Sequence, residues 1–77
     1  MTTKINEIVR YIELNGFCLE VEAADLLLRK VDEKVTKEGE DIDIQQFLKP
    51  FVTELFEELP ALTIITKDMV SSFDWEI

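Results

Sequence analysis

Cys18 is the only thiol in a chain that has no histidine, so the commonest pairing of nucleophile and base cannot be assembled from these residues. Flanked by Phe17 and Leu19, with no cation nearby in sequence to favour the thiolate, Cys18 reads as a small buried hydrophobe. One cysteine and no histidine also fall short of a zinc or transition-metal ligand set. The run Asp41-Ile42-Asp43-Ile44-Gln45 alternates oxygen-bearing side chains as a calcium loop does. It then places Gln46 where such a loop needs glycine and Val52 where it needs a bidentate glutamate, so it reads as an acidic, helix-capping loop. The carboxylate pairs Asp32-Glu33 and Glu57-Glu58 are neighbours on helical segments, where adjacent side chains diverge and cannot flank one substrate. Gly16 and Gly39 are isolated, which excludes a glycine-rich phosphate loop. These residue types predict no catalytic centre, no metal site and no cofactor.

The elements that carry these residues follow from apolar spacing. Ile5, Ile8, Val9 and Ile12 recur at three- and four-residue intervals and predict a first helix, ended by Gly16 where a left-handed cap is needed. A second helix is expected from Glu20, with Val21, Ala24, Leu27, Leu28, Val31 and Val35 on its inner face and Leu26 pointing almost the opposite way. Thr36 to Asp41 is polar, contains a glycine and reads as a loop. Asp43 with Gln46 resembles a capping box opening a third helix, whose stripe is Ile44, Leu48, Phe51, Leu55 and Leu59, flanked by Phe47, Val52 and Phe56. Pro50 is expected to kink or restart that helix, and Pro60 to end it. Leu62 to Ile65 has the β-branched look of a short strand, and a lone strand needs a partner. Phe17-Cys18-Leu19 is the one other candidate, so fragments at 17–19 and 62–65 are expected to pair, bringing the starts of helices two and four together. Thr66 caps the fourth helix, with Met69, Val70 and Phe73 facing inward, and a short polar tail carries Trp75. The predicted class is mainly α, a single four-helix domain over residues 1–77.

With 77 residues, 47% of them apolar, the chain suits one small core with little stability in reserve. Its 17 acidic residues against 8 basic ones give a net charge of -9, a field that repels phosphate backbones and anionic headgroups. Direct binding of nucleic acid or membrane is therefore not expected. No apolar run reaches the roughly 20 residues of a bilayer span. The start, Met1-Thr2-Thr3-Lys4, has no signal-peptide pattern, and a solitary cysteine suits a reducing, intracellular compartment.

Apolar residues in excess of a small core are Leu26, Phe47, Phe56 and Trp75, which makes them the candidate protein-binding residues. Phe47 and Phe56 lie on a stripe wide enough to be ordinary core, and Trp75 has the alternative of folding back to close it.

The run from Ile8 through Gly16 to Leu28 (helix, glycine, short apolar step, then a helix with Ala23 and Ala24 near its start) resembles the opening of the N-terminal domain of B-subunits of replicative DNA polymerases. Leu62 to Val70 resembles the second step and last helix of the same domain, as in the small subunits of polymerase epsilon and of archaeal family-D polymerase. That domain is similar to the helical lid of AAA+ ATPases, four helices joined by two short parallel strands. The likeness spans nearly the whole chain, although Asp43-Ile44-Gln45-Gln46 lacks the arginine by which such lids often sense nucleotide. It implies a noncatalytic N-terminal module of a longer accessory subunit, tethering polymerase to its catalytic subunit or to replicative helicase components, in a nucleus or an archaeal cytoplasm. Two other classes fit the composition: a small acidic inhibitor that mimics the charge of DNA, and an unrelated helical adaptor domain.

Overall fold

A computed structural model of the chain describes residues 3–77, so the expectation about the opening Met1 and Thr2 lies outside the described residues. The chain is mainly α. Its elements are α1 (Thr3–Leu14), β1 (Cys18–Leu19), α2 (Val21–Glu38), α3 (Ile44–Glu58), β2 (Ile64–Ile65) and α4 (Lys67–Ser72).

In α1 the residues one turn apart, Ile8 and Ile12, are completely buried, which is what an apolar stripe of helical period requires. The helix stops because Gly16 adopts φ 93°, a conformation costly for side-chain-bearing residues and cheap for glycine. From there the chain extends into β1. Alternation along this step buries Phe17 and exposes Cys18, which corrects the expectation of a buried thiol: successive side chains of a strand face opposite sides, and the bulkier Phe17 takes the inner one.

Helix α2 starts at Val21 with Glu20 as its N-cap. Its buried face is Ala23, Ala24, Leu27 and Val31; Val21 is an exposed first-turn residue, which corrects its expected place on the inner stripe. The helix also runs on through Thr36, Lys37 and Glu38, which composition assigned to a loop. Thr36 Oγ1 donates to the Asp32 carbonyl at 2.9 Å, Lys34 pairs with Glu38, and Lys37 sits in the last turn where the dipole favours a cation. Gly39, at φ 97°, then ends it while its N–H still reaches the Val35 carbonyl at 2.7 Å.

Asp43 opens α3 as its spacing predicts: its carboxylate accepts from the N–H groups of Gln45 and Gln46 at 3.0 and 3.3 Å. Removing that cap, Asp43→Ala, is expected to cost about 1 kcal/mol while Asp43→Asn costs far less, a difference that urea unfolding followed by circular dichroism resolves. Helix α3 passes through Pro50 without a break. Both Pro50 and Gln46, whose carbonyl loses its helical donor there, are exposed residues, on the side of the helix where a missing backbone bond costs least. The restart expected at Pro50 therefore does not occur. Ile44, Leu48, Phe51, Val52 and Leu55 form the buried face.

The turn after Pro60 is tied by Thr63 Oγ1 donating to the Pro60 carbonyl at 2.6 Å. It delivers β2 alongside β1 in parallel register, Cys18 opposite Ile64 and Leu19 opposite Ile65. This is the expected pairing, in shorter strands, and it does set the starts of α2 and α4 together, with Lys67 Nζ 3.1 Å from Glu22 Oε2. Thr66 precedes α4 as its N-cap without a side-chain cap bond. All four helices and the strand pair share one core, whose largest fully buried side chains include Phe51, Ile8, Ile12, Leu27, Leu48 and Ile65.

Candidate functional site

The four residues that sequence marks as surplus to the core are not brought to one surface. Phe47 and Trp75 meet, their ring centroids 5.3 Å apart, in a cluster with Phe51 and Phe73. Trp75 is therefore not in a free tail: its indole N–H donates to the Val70 carbonyl at 2.8 Å, and its ring lies 5.2 Å from Phe51 and 4.8 Å from Phe73. Lys34 donates to the Glu76 carbonyl at 3.4 Å and Lys37 to the carbonyl of Ile77, which pins the last residues across the end of α2. A groove of about 430 Å³ runs beside this cluster. Lys34 lines it, with its ammonium 6.0 Å from the Phe47 centroid and ion-paired to Glu38, so the chain supplies its own cation to this aromatic wall.

Leu26 is half-buried and packs against the core from the rim of α2, bordered by Glu22, Asp25, Arg29 and Lys67. Phe56 alone of the four is exposed, and it leans on the buried Phe17 ring at 5.4 Å.

A surface that sequence spacing does not single out lies at the strand pair. The exposed large apolar residues among those described are Leu14, Val21, Phe56, Leu62 and Ile64, with exposures from 56% for Phe56 to 78% for Leu14. They gather about the strand pair. Ile64 stands opposite the exposed Cys18 in the register, the Leu62 N–H donates to the Gly16 carbonyl at 2.7 Å, and Phe56 covers Phe17 one residue before Cys18. Leu14 and Val21 flank this centre at the end of α1 and the start of α2. One signal for Ile64 was available in sequence: two consecutive isoleucines in a strand cannot both face the core. Leu62 had none, since it lies in a turn where apolar period says nothing about direction, and Leu14, in the last turn of α1, falls off the stripe of Ile5, Ile8, Val9 and Ile12.

Leu62 holds a second anomaly. At φ 68° it is the one non-glycine residue with positive φ among those described, a backbone state that costs an ordinary residue roughly 1–2 kcal/mol. Its side chain returns little of that to the fold, being 74% exposed.

The charges bordering this surface are mostly negative. Glu20, two residues on from Cys18 along the extended step, is exposed on the same side as the thiol. Lys67, just beyond β2, is engaged by Glu22, whose hydrogen bond and charge hold its ammonium above the usual lysine range, helped by Asp68. Among the described residues no group of three or more His, Cys, Asp or Glu side chains is placed to hold a metal ion. No helix among them is long and apolar enough to cross a membrane. No protein-family model, curated protein or solved structure matches this chain.

Proposed function

We propose that this chain is a noncatalytic docking module that recognises another protein through the apolar surface around its strand pair. The observation that carries the reading is the exposure of Leu62 and Ile64 at the strand pair beside Cys18, with Phe56 also held in solvent over the Phe17 ring. Exposed apolar groups that cluster on a small acidic domain mark a contact, because each such group gains free energy when a partner covers it. Leu62 strengthens the argument, since a leucine kept in a strained backbone state for a side chain the fold barely uses points to selection by something outside the fold. The likeness of residues 8–28 and 62–70 to the B-subunit domain makes replisome proteins, a polymerase catalytic subunit or replicative helicase components, the first partners to try. In that setting the module tethers polymerase in DNA replication, and its net charge of -9 keeps it off the template.

Leu62→Gly separates docking from folding. Glycine accepts φ 68° without strain, so the variant is expected to melt at or above the wild-type temperature, while losing about 1.5 kcal/mol or more of partner binding, roughly tenfold in Kd. Calorimetric titration against the candidate partners reads the affinity. Unchanged affinity in a variant of unchanged stability removes the proposal.

A further inference from the structure

The parallel ladder uses only one side of each strand. The Cys18 N–H donates to the Thr63 carbonyl at 3.2 Å and the Glu20 N–H to the Ile65 carbonyl at 3.1 Å. With Cys18 opposite Ile64, the geometry of a parallel pair turns the N–H and C=O of Ile64 to the other side of β2, and those of Leu19 to the other side of β1. Neither pair has a backbone partner among the described residues. The two edges differ in access: Leu19 is half-buried and packed against the core, whereas Ile64 is exposed. Ile64 thus presents a donor, an acceptor and an apolar side chain together at an open sheet edge, the combination that accepts an added strand.

Building on the docking reading, we infer that the partner occupies this surface with an extended segment that adds as a third strand beside Ile64, its apolar side chains alternating with lysine or arginine. Alternation follows from the strand itself: every second side chain falls on the face where Ile64 and Cys18 are exposed, and the others face away. The basic character follows from charge. Glu20, which continues the ladder two residues beyond Cys18, carries an exposed carboxylate on the Cys18 face, the chain as a whole has a net charge of -9, and the nearby Lys67 is already paired with Glu22. A cationic segment finds complementary potential there and is steered toward it, and an acidic one is repelled. The same reasoning excludes a second copy of this chain, which would bring another -9 and an identical acidic border against the first. The short length of β2 makes the backbone bonds a device for register, with the apolar contacts supplying the affinity.

The test uses the full chain, uniformly labelled with nitrogen-15, and two short synthetic peptides, one alternating valine with lysine and one alternating valine with glutamate. On saturation with the valine–lysine peptide, hydrogen exchange of the Ile64 amide is expected to slow by at least about tenfold while that of Leu19 stays unchanged, because only the Ile64 donor gains a partner. The affinity is expected to fall as salt rises from about 50 to 300 mM, and the valine–glutamate peptide to leave the Ile64 amide as it is. Absence of protection at about 1 mM valine–lysine peptide overturns strand addition, as does equal protection by both peptides. Protection that grows with protein concentration without peptide assigns the edge to a second copy and overturns the partner's chemistry. If Leu62→Gly abolishes binding of a replisome partner while that partner leaves the Ile64 amide unprotected, strand addition fails and docking stands; if Leu62→Gly leaves binding intact, docking itself fails.

Discussion

Phe51→Ala is expected to cost about 3–5 kcal/mol, enough to remove most or all of the net stability of a domain of this length. Phe51 is the bulkiest of the fully buried side chains, and it is the point where α3 meets the chain's last residues. Its ring lies 5.2 Å from Phe73 at 72° and 5.2 Å from Trp75, geometries in which aromatic pairs add to simple burial. Truncation would empty the space that both partners close over, and a core already packed by Leu48 and Val52 on the same helix has no side chain free to fill it. Phe51→Leu keeps most of the volume and is expected to lose less than about 1.5 kcal/mol. Circular dichroism against urea distinguishes them: the leucine variant unfolds cooperatively at a lower midpoint, and the alanine variant shows no folded baseline. A cooperative transition near the wild-type midpoint in Phe51→Ala would contradict the packing described above.

Trp75→Ala is expected to cost about 2–3 kcal/mol, at or below the low end for aromatic truncation because the residue is half-buried. Two effects add. The indole covers Phe47, Phe51 and Phe73, and its N–H satisfies the Val70 carbonyl near the end of α4. A helix of six residues has little stability of its own, so the loss of this clasp should loosen α4 before the rest. Trp75→Phe separates the effects by retaining ring contacts while deleting the donor, at an expected cost of about 1 kcal/mol. Hydrogen exchange reads the outcome directly. In Trp75→Ala the amides of Met69 and Val70, which bond back to Thr66, should exchange faster by a larger factor than those of α1. Uniform acceleration across both helices would mean that Trp75 is not a local clasp.

These two residues also mark how far the sequence could be read. Helical period located all four helices, and Gly16 and Asp43 fixed the end of α1 and the start of α3, because each of those residues acts through local backbone chemistry that needs no knowledge of the rest of the chain. The strand pairing was legible by elimination, there being one candidate partner for Ile64 and Ile65. Period failed where direction depends on neighbours. Val21 falls on the inner stripe by angle, yet it lies in the first turn, before α2 reaches the helices that cover it, and so remains in solvent. Composition failed at Thr36 to Glu38, where polar residues continue a helix through local bonds that a count of hydrophobes does not register. The candidate site was the least legible part. Surplus apolar residues were identified by type, and type cannot say that Phe47 and Trp75 satisfy one another while Leu62 and Ile64 have no such partner.

The parallel ladder has a consequence for the order in which the molecule is made. Cys18 pairs with Ile64 and Gly16 with Leu62, so the first strand must wait through the synthesis of α2 and α3 for its complement to leave the ribosome. Closing a loop of some tens of residues costs about 3 kcal/mol in chain entropy before any contact across it is made. The two leading helices therefore emerge with Phe17 and Ile12 uncovered, and the last dozen or so residues act as the latch that commits the nascent chain to its final shape.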